Sequence, residues 1–363
     1  MSHNLETRDG IVSFAENGRK ERAWHNLGQV FDGPMTVKEA LEASRANYKV
    51  ELQPIVSVSP QMMSAIENQT LTMDMMLDMF IKGKKATVRT DTNSVLGIVS
   101  ESSYGVVQNE DAFRFVDTLC SGQLTDREHT PVIETAGVLG HGERIFVTAK
   151  FREDIILDNK GDDRVEMNII FTTSHDGTGG VNVLISPVRV VCNNTLSMAL
   201  NDCKGKLFLK HSSNVMSRLD ISNKVNVEFA YRALNLFDVY KKSLEADFEK
   251  LRNIKVTEKM LDNIVASISL SEESLEIYKK TGNICDSEIK TRGKNKFDAI
   301  KKSIYKGIGQ KDQEEGNGLW LINGVTTYFQ NDATYKTEEK KFESITKGSA
   351  KDKLQYVYDS LMA

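Results

Sequence analysis

Cysteine and proline are scarce in this chain, positive charge is not in excess, and no apolar run approaches the length of a membrane span. Each shortage excludes something. Cys120, Cys192, Cys203 and Cys285 never stand at the short spacing of a zinc knuckle or a redox pair, so neither a cysteine metal site nor a disulfide framework is expected. Cys192 ends an apolar run, VRVVC, and reads as a buried, reduced thiol. The 5 prolines supply no Pro-rich linker to mark a domain boundary. With 47 Lys and Arg against 51 Asp and Glu, the net charge is -4, so any contact with nucleic acid has to be a local basic patch on a slightly acidic body. The opening residues, MSHNLETRDGIVSFAENGRKERAW, are polar and carry no apolar signal core. A cytoplasmic location without membrane association is therefore expected.

What is present describes a globular chain. Its 363 residues, 40% hydrophobic and 27% charged, suffice for a genuine core. Residues 1–35 carry turn signals at Asp9-Gly10, Asn17-Gly18 and Gly33-Pro34 and read as an irregular arm. Thr36 with Glu39 forms a capping box that opens a helix through Ala46. Tyr48 to Ser59 alternates as a strand. Leu71 to Phe80 is Met-rich, with Met73, Met76, Leu77 and Phe80 on one helical face, either plain core or an adaptable groove.

Strand-like pieces follow at Ala86–Arg89, Val95–Ser100, Tyr104–Val107, Val132–Thr135, Arg144–Phe151, Val165–Thr173, Val181–Ile185 and Val188–Cys192. A helix is expected over Glu110–Leu119. Hairpin-like turns between the strands favour antiparallel pairing. Past His211 the hydrophobic period changes from about 2 to about 3.6. Val215–Leu251 reads as one long helix, and further helices are expected at 256–268, 271–281, 296–306, 317–331 and 351–362. The fold class expected is thus α+β: a mostly antiparallel sheet core with flanking helices over 36–212, then a helical C-terminal region over 213–363. The long helix has an a/d seam interrupted by Lys241, which suits packing on its own neighbours or pairing in a homo-oligomer.

The densest candidate chemistry lies between Phe171 and His211. His175-Asp176-Gly177 follows an apolar strand. A His beside an Asp suits a general base with its orienting group, and Asp-Gly is equally a turn signal. Arg189 alternates with apolar residues and needs a carboxylate, such as Asp91 or Asp176, or a ligand anion. Asn193 and Asn194 precede a helical stretch that Asn194 can cap. A helix start beside Arg189, Lys210 and His211 would suit a phosphate. His175, Asp176, His211 and His25 lack the spacing of a metal signature, so neither metal nor cofactor is expected. Gly177-Thr-Gly-Gly180 reads as a hairpin loop.

A second feature is basic. Lys290, Arg292, Lys294, Lys296, Lys301, Lys302 and Lys306 cluster with Asp298 as the only acid, and Phe297 and Tyr305 interleave. The pattern fits a helix following a nucleic-acid backbone with aromatics stacking on bases, or a solvated face with Phe297, Ile300 and Ile304 turned to a core.

Ordered pieces spanning roughly residues 20–330 resemble one family. They are Trp24-His-Asn-Leu-Gly28, Val88-Arg-Thr-Asp91 with Leu96-Gly-Ile-Val99, Tyr104-Gly-Val-Val-Gln-Asn109, Thr135-Ala-Gly137, Ser174-His-Asp-Gly177, Arg189-Val-Val-Cys-Asn-Asn-Thr-Leu196 and, more weakly, Leu319-Trp320 through Tyr328. Together they resemble the phage/plasmid-like family built on domain of unknown function 932. Lys210-His211-Ser212 departs from its usual Arg-His-Thr. The resemblance implies carriage by phages, plasmids and integrative elements, and supplies no reaction. The first expectation is nucleic-acid binding, single-stranded DNA above all, in recombination or replication, through Arg89, Arg189, Asn194, Lys210, His211, Lys294, Lys296, Lys301 and Lys302. The alternatives are an enzyme on a phosphate-bearing substrate, using His175, Asp176 and Arg189, and a partner-binding protein acting against host defence.

Overall fold

The computed structural model describes residues 4–18, 22–23, 25–77, 79–121, 130–156, 164–187, 196, 199, 206–215, 224–308, 310, 314–346 and 348–363. The chain divides into two compact units, Met1–Lys241 and Lys242–Ala363.

The first unit is α+β. In chain order it runs β1 (Thr7–Arg8), β2 (Ile11–Val12), β3 (Phe14–Asn17), β4 (Gln29–Phe31), α1 (Val37–Ala43), β5 (Val50–Val56), α2 (Pro60–Glu67), α3 (Met73–Leu77), β6 (Phe80–Arg89), β7 (Ser94–Ser100) and α4 (Asn109–Cys120). After these come β8 (Val132–Leu139), β9 (Arg144–Lys150), β10 (Ile155–Ile156), β11 (Arg164–Val165), β12 (Asn168–Ser174), β13 (Val181–Ser186) and β14 (Lys206–Leu209). Among the described residues the central sheet has seven strands in the order β14-β13-β12-β9-β8-β3-β4. All its pairings are antiparallel except β3 with β4. A second, antiparallel sheet has the order β5-β6-β7.

Strand β12 explains why the alternation expected of an antiparallel sheet fades at its centre. All seven of its residues are buried. Ile170 joins Phe14, Phe146 and Leu184 in one core cluster, while Phe171 meets Phe115 of α4 at 5.7 Å. With both faces covered, every position is apolar or internally bonded: Thr172 Oγ1 donates to the Ile145 carbonyl at 2.8 Å. Helix α1 opens on the expected capping box, in which the Thr36 side chain accepts from the Glu39 N–H and the Glu39 carboxylate accepts from the Thr36 N–H.

Several expectations need correction. Residues 1–35 are not an irregular arm; β3 is wholly buried and pairs with β8, because Phe14 and Ala15 supply apolar surface that the turn signals around them obscured. Tyr104–Val107 is no strand; Tyr104 makes a single bridge to Ser212. Among the described residues the Met-rich stretch is helical over Met73–Leu77, and Met73 and Leu77 face outward while Phe80 begins β6. The expected strand at Val188–Cys192 lies outside the described residues.

The second unit is helical. Helix α5 (Lys224–Asn253) runs into it from the first unit, and α6 (Glu258–Ser269), α7 (Glu272–Thr281), α8 (Thr291–Lys306), α9 (Gly318–Thr327), a π turn (Tyr328–Asp332), α10 (Glu338–Thr346) and α11 (Ser349–Met362) follow. Thr257, Ser271 and Asn317 cap α6, α7 and α9 through their side chains. The core gathers Leu261, Val265, Phe297, Ile300, Ile304, Trp320, Leu321, Val325 and Val357. Among the described residues no helix is long and apolar enough to cross a membrane.

Candidate functional site

The first unit buries a polar knot. Arg89, at the end of β6, is completely buried. Its Nε and Nη2 donate to the two carboxylate oxygens of Asp91 at 2.7 and 3.0 Å. Nη1 pairs with Glu6 and donates to the His141 carbonyl at 3.1 Å. The guanidinium carbon stands 3.8 Å from the Tyr48 ring centroid. Gly142, at φ +107°, leaves room for it, since a Cβ there would lie 2.5 Å from Nη1. Asp91 also pairs with Arg8, and Glu6 accepts from Ser13 Oγ at 2.7 Å. Burial opposes the charge on Arg89, and Asp91 and Glu6 outweigh it, so the guanidinium is held more firmly than usual. Burial likewise opposes the charge on Asp91, yet its bonds to Arg89 and Arg8 bring it down to about 2. Arg89 therefore holds the fold together and is withdrawn from any surface that meets nucleic acid.

His175 sits beside this knot, also completely buried. Its ring approaches Tyr48 edge-on at 6.4 Å, and its Nε2 meets Asn109 Oδ1 at 2.8 Å. Asn109 Nδ2 donates to the Ala46 carbonyl at 2.9 Å, so Oδ1 accepts and the His175 proton resides on Nε2. Nδ1 has no hydrogen-bond partner among the described residues. Burial, then the neighbouring His211, pulls the imidazole down to about 3, against a smaller opposing pull from Asp176. The ring is neutral at physiological pH.

A pH dependence follows. The unfolded chain takes up a proton near 6.5 that the folded chain refuses until about 3. This contribution to stability is complete above pH 6.5 and is lost as pH falls toward 3, at up to about 1.4 kcal/mol per pH unit. His175→Gln is expected to flatten the fall of melting temperature between pH 6 and 4. A variant as steep as the wild type would show that His175 is not the titrating group.

The His175–Asp176 pair does not form as a base and its orienter. The Asp176 carboxylate bonds Ser174 Oγ and accepts from the N–H and Oγ1 of Thr178 at 2.8 and 2.7 Å, which makes it the cap of the β12–β13 hairpin. His211 is buried, stacked on Tyr104 at 5.0 Å, with Nε2 3.0 Å from Thr173 Oγ1 and Nδ1 3.0 Å from the Gly105 carbonyl. Burial lowers its pKa, against the Gly105 carbonyl and Asp176. Lys210 is exposed. Arg189, Asn193 and Asn194 lie outside the described residues. Asp91 and Asp176, the partners expected for Arg189, are engaged as described above. Among the described residues no group of three His, Cys, Asp or Glu could hold a metal ion.

The second unit carries the cations. On α8, Arg292, Asn295, Asp298, Lys302 and Lys306 are exposed and share one face, at spacings of three, three, four and four, so three cations stand there with a single acid. Lys290 pairs with Glu273 at 2.6 Å, and Lys301 with Asp262 and Glu258 at 2.6 and 3.3 Å, so both are neutralised. Lys294 Nζ donates to the Cys285 carbonyl at 3.3 Å. Lys296 is half-buried beside Lys353 of α11 and Arg292. Burial first, then Lys353 and Arg292, brings its pKa down to about 7. Phe297 is buried in the core, and Tyr305 bonds Glu258 and packs edge-on against Trp320, so neither aromatic is presented for stacking on bases.

The sequence reading gave no site role to Lys353, Tyr48, Asn109 or Glu6, although Asn109 closes one of the family-like motifs. Lys353 is one lysine among many in an amphipathic helix, and Glu6 sits in the supposed arm. Only the VRTD motif, with an arginine two residues before an aspartate, hinted at the knot.

Fold and surface thus define an α+β protein with a sealed ionic interior in one unit and a cationic helix face in the other. The chain belongs to the family described as domain of unknown function (DUF932), which matches residues 95–347. No curated protein and no solved structure matches it.

Proposed function

We propose that this protein binds nucleic acid along the phosphate backbone, through the cationic face of α8, in the service of a phage, plasmid or integrative element. The carrying observation is that Arg292, Lys302 and Lys306 lie exposed on one face and, among the described residues, bond no carboxylate, whereas Lys290 and Lys301 on the same helix are neutralised. Carriage by a mobile element is supported by the family resemblance alone. Single-stranded DNA in recombination or replication is the first substrate to test, although binding rests on charge and not on stacking.

Fluorescence polarisation of a labelled single strand and the matching duplex, at two salt concentrations and followed by a denaturing gel, tests this reading. With these three cations engaged, log affinity is expected to fall against log salt with a slope of about -2 for the single strand and about -2.7 for the duplex, the strands staying intact. Lys302→Gln with Lys306→Gln should shrink either slope by about 1.5. Absence of binding at low salt refutes the proposal; cleaved strands would favour an enzyme.

A second reading, a partner-binding protein acting against host defence that uses the Met-rich segment, is favoured by the exposure of Met73 and Leu77 there and of Met63 and Ile66 on neighbouring α2.

A further inference from the structure

We infer that Arg292, Lys296 and Lys353 form a seat for a phosphomonoester dianion, the group carried by a phosphorylated end of a nucleic-acid strand. The inference deepens the nucleic-acid reading and rests on it for the source of the phosphate. Arg292 and Lys296 stand one turn apart on α8, and Lys353 reaches Lys296 from α11, whose Ala350 and Val357 share a core with Phe297 of α8. Lys296 Nζ lies 5.9 Å from the ring centroid of Phe329, a buried residue of the π turn, so one wall of the seat is apolar.

The charge arrangement is what points to a ligand. Among the described residues, none of the three cations bonds a carboxylate, while Lys290 and Lys301 on the same helix do. Grouping three cations without a counter-charge, two of them half-buried, works against folding and is relieved by an anion. An internal phosphodiester offers one negative charge. A monoester approaches two near neutral pH and presents three acceptor oxygens, which suits two ammonium groups and a guanidinium better. The lowered pKa of Lys296 agrees, since a bound dianion would return its proton.

The test uses the full chain. One labelled strand is prepared with a 5′-phosphate, with a 3′-phosphate and with neither, and polarisation is read for the wild type and for Lys353→Met. In parallel, the ³¹P line width of inorganic phosphate is followed with each protein. The wild type is expected to bind one of the phosphate-ended strands about tenfold more tightly than the hydroxyl-ended strand. Lys353→Met should erase that preference, leaving affinity for the hydroxyl-ended strand within about threefold. Its melting temperature without ligand should rise, because a repulsion is removed, and this shows that the variant folds. Equal wild-type affinity for all three strands overturns the seat. If no strand binds, the nucleic-acid reading fails by itself and the phosphate line decides the seat. Broadening that Lys353→Met abolishes upholds it, and an unbroadened wild-type line overturns it.

Discussion

Arg89→Met is expected to destabilise the first unit by about 3–5 kcal/mol, because it strands a buried carboxylate. Glu6 is nearly inaccessible to solvent and pairs with Arg89, while Asp91 keeps Arg8 and partial exposure. The loss therefore falls mainly on Glu6. Methionine fills much of the arginine volume, so the effect reports charge and not a cavity. Glu6→Gln in the Arg89→Met background should recover a substantial part of the loss, as contacting residues are non-additive. Urea unfolding, with hydrogen exchange read on peptides from β12, localises the effect. A loss below about 1 kcal/mol would place Arg89 among exposed ion pairs and undo the knot.

Gly97→Ala is the second large effect, through overpacking. A Cβ on Gly97 would lie 2.4 to 2.6 Å from the carbonyl oxygen, Cα and carbonyl carbon of Asp176. Backbone cannot swing aside as a side chain can, so β7 or the hairpin loop after β12 has to move. That shift endangers the bond from Thr87 Oγ1 to the His175 carbonyl, 2.7 Å long, which ties the three-stranded sheet to the turn after β12. The expected cost is about 1–3 kcal/mol or more, with raised exchange at residues 173–178. Gly83→Ala is an informative control: a Cβ there meets nothing within 4 Å, and only its φ of +74° strains the variant. Equal exchange at 173–178 in both variants would argue that the Gly97 contact is unimportant.

How much of this was legible in the sequence depended on whether the information was local. The α+β class was readable because alternation gives way to helical period near His211. The Thr36–Glu39 capping box and the Gly177–Gly180 hairpin were readable because such signals act within a few residues. The knot was not. Arg89 and Glu6 are 83 residues apart, and nothing in either neighbourhood names the other. His175 and Asp176 are adjacent in sequence, yet both lie in the turn just past β12, where neighbouring side chains need not converge. One turned inward to Asn109 and the other stayed at the turn. The basic run was visible as composition, but which lysines are neutralised depends on Asp262, Glu258 and Glu273, carried by α6 and α7. The sequence drew attention to the first unit's polar segment; the cations without carboxylate partners stand on α8.

The central claim is that nucleic acid meets the second unit on the α8 face. Photo-cross-linking answers it most directly: a bromouridine-substituted strand is irradiated with the full-length protein, and cross-linked peptides are mapped. The account predicts adducts within residues 291–306 and 349–362, lost in Arg292→Gln with Lys302→Gln and Lys306→Gln. Adducts confined to residues 1–241, unchanged by those substitutions, would contradict it.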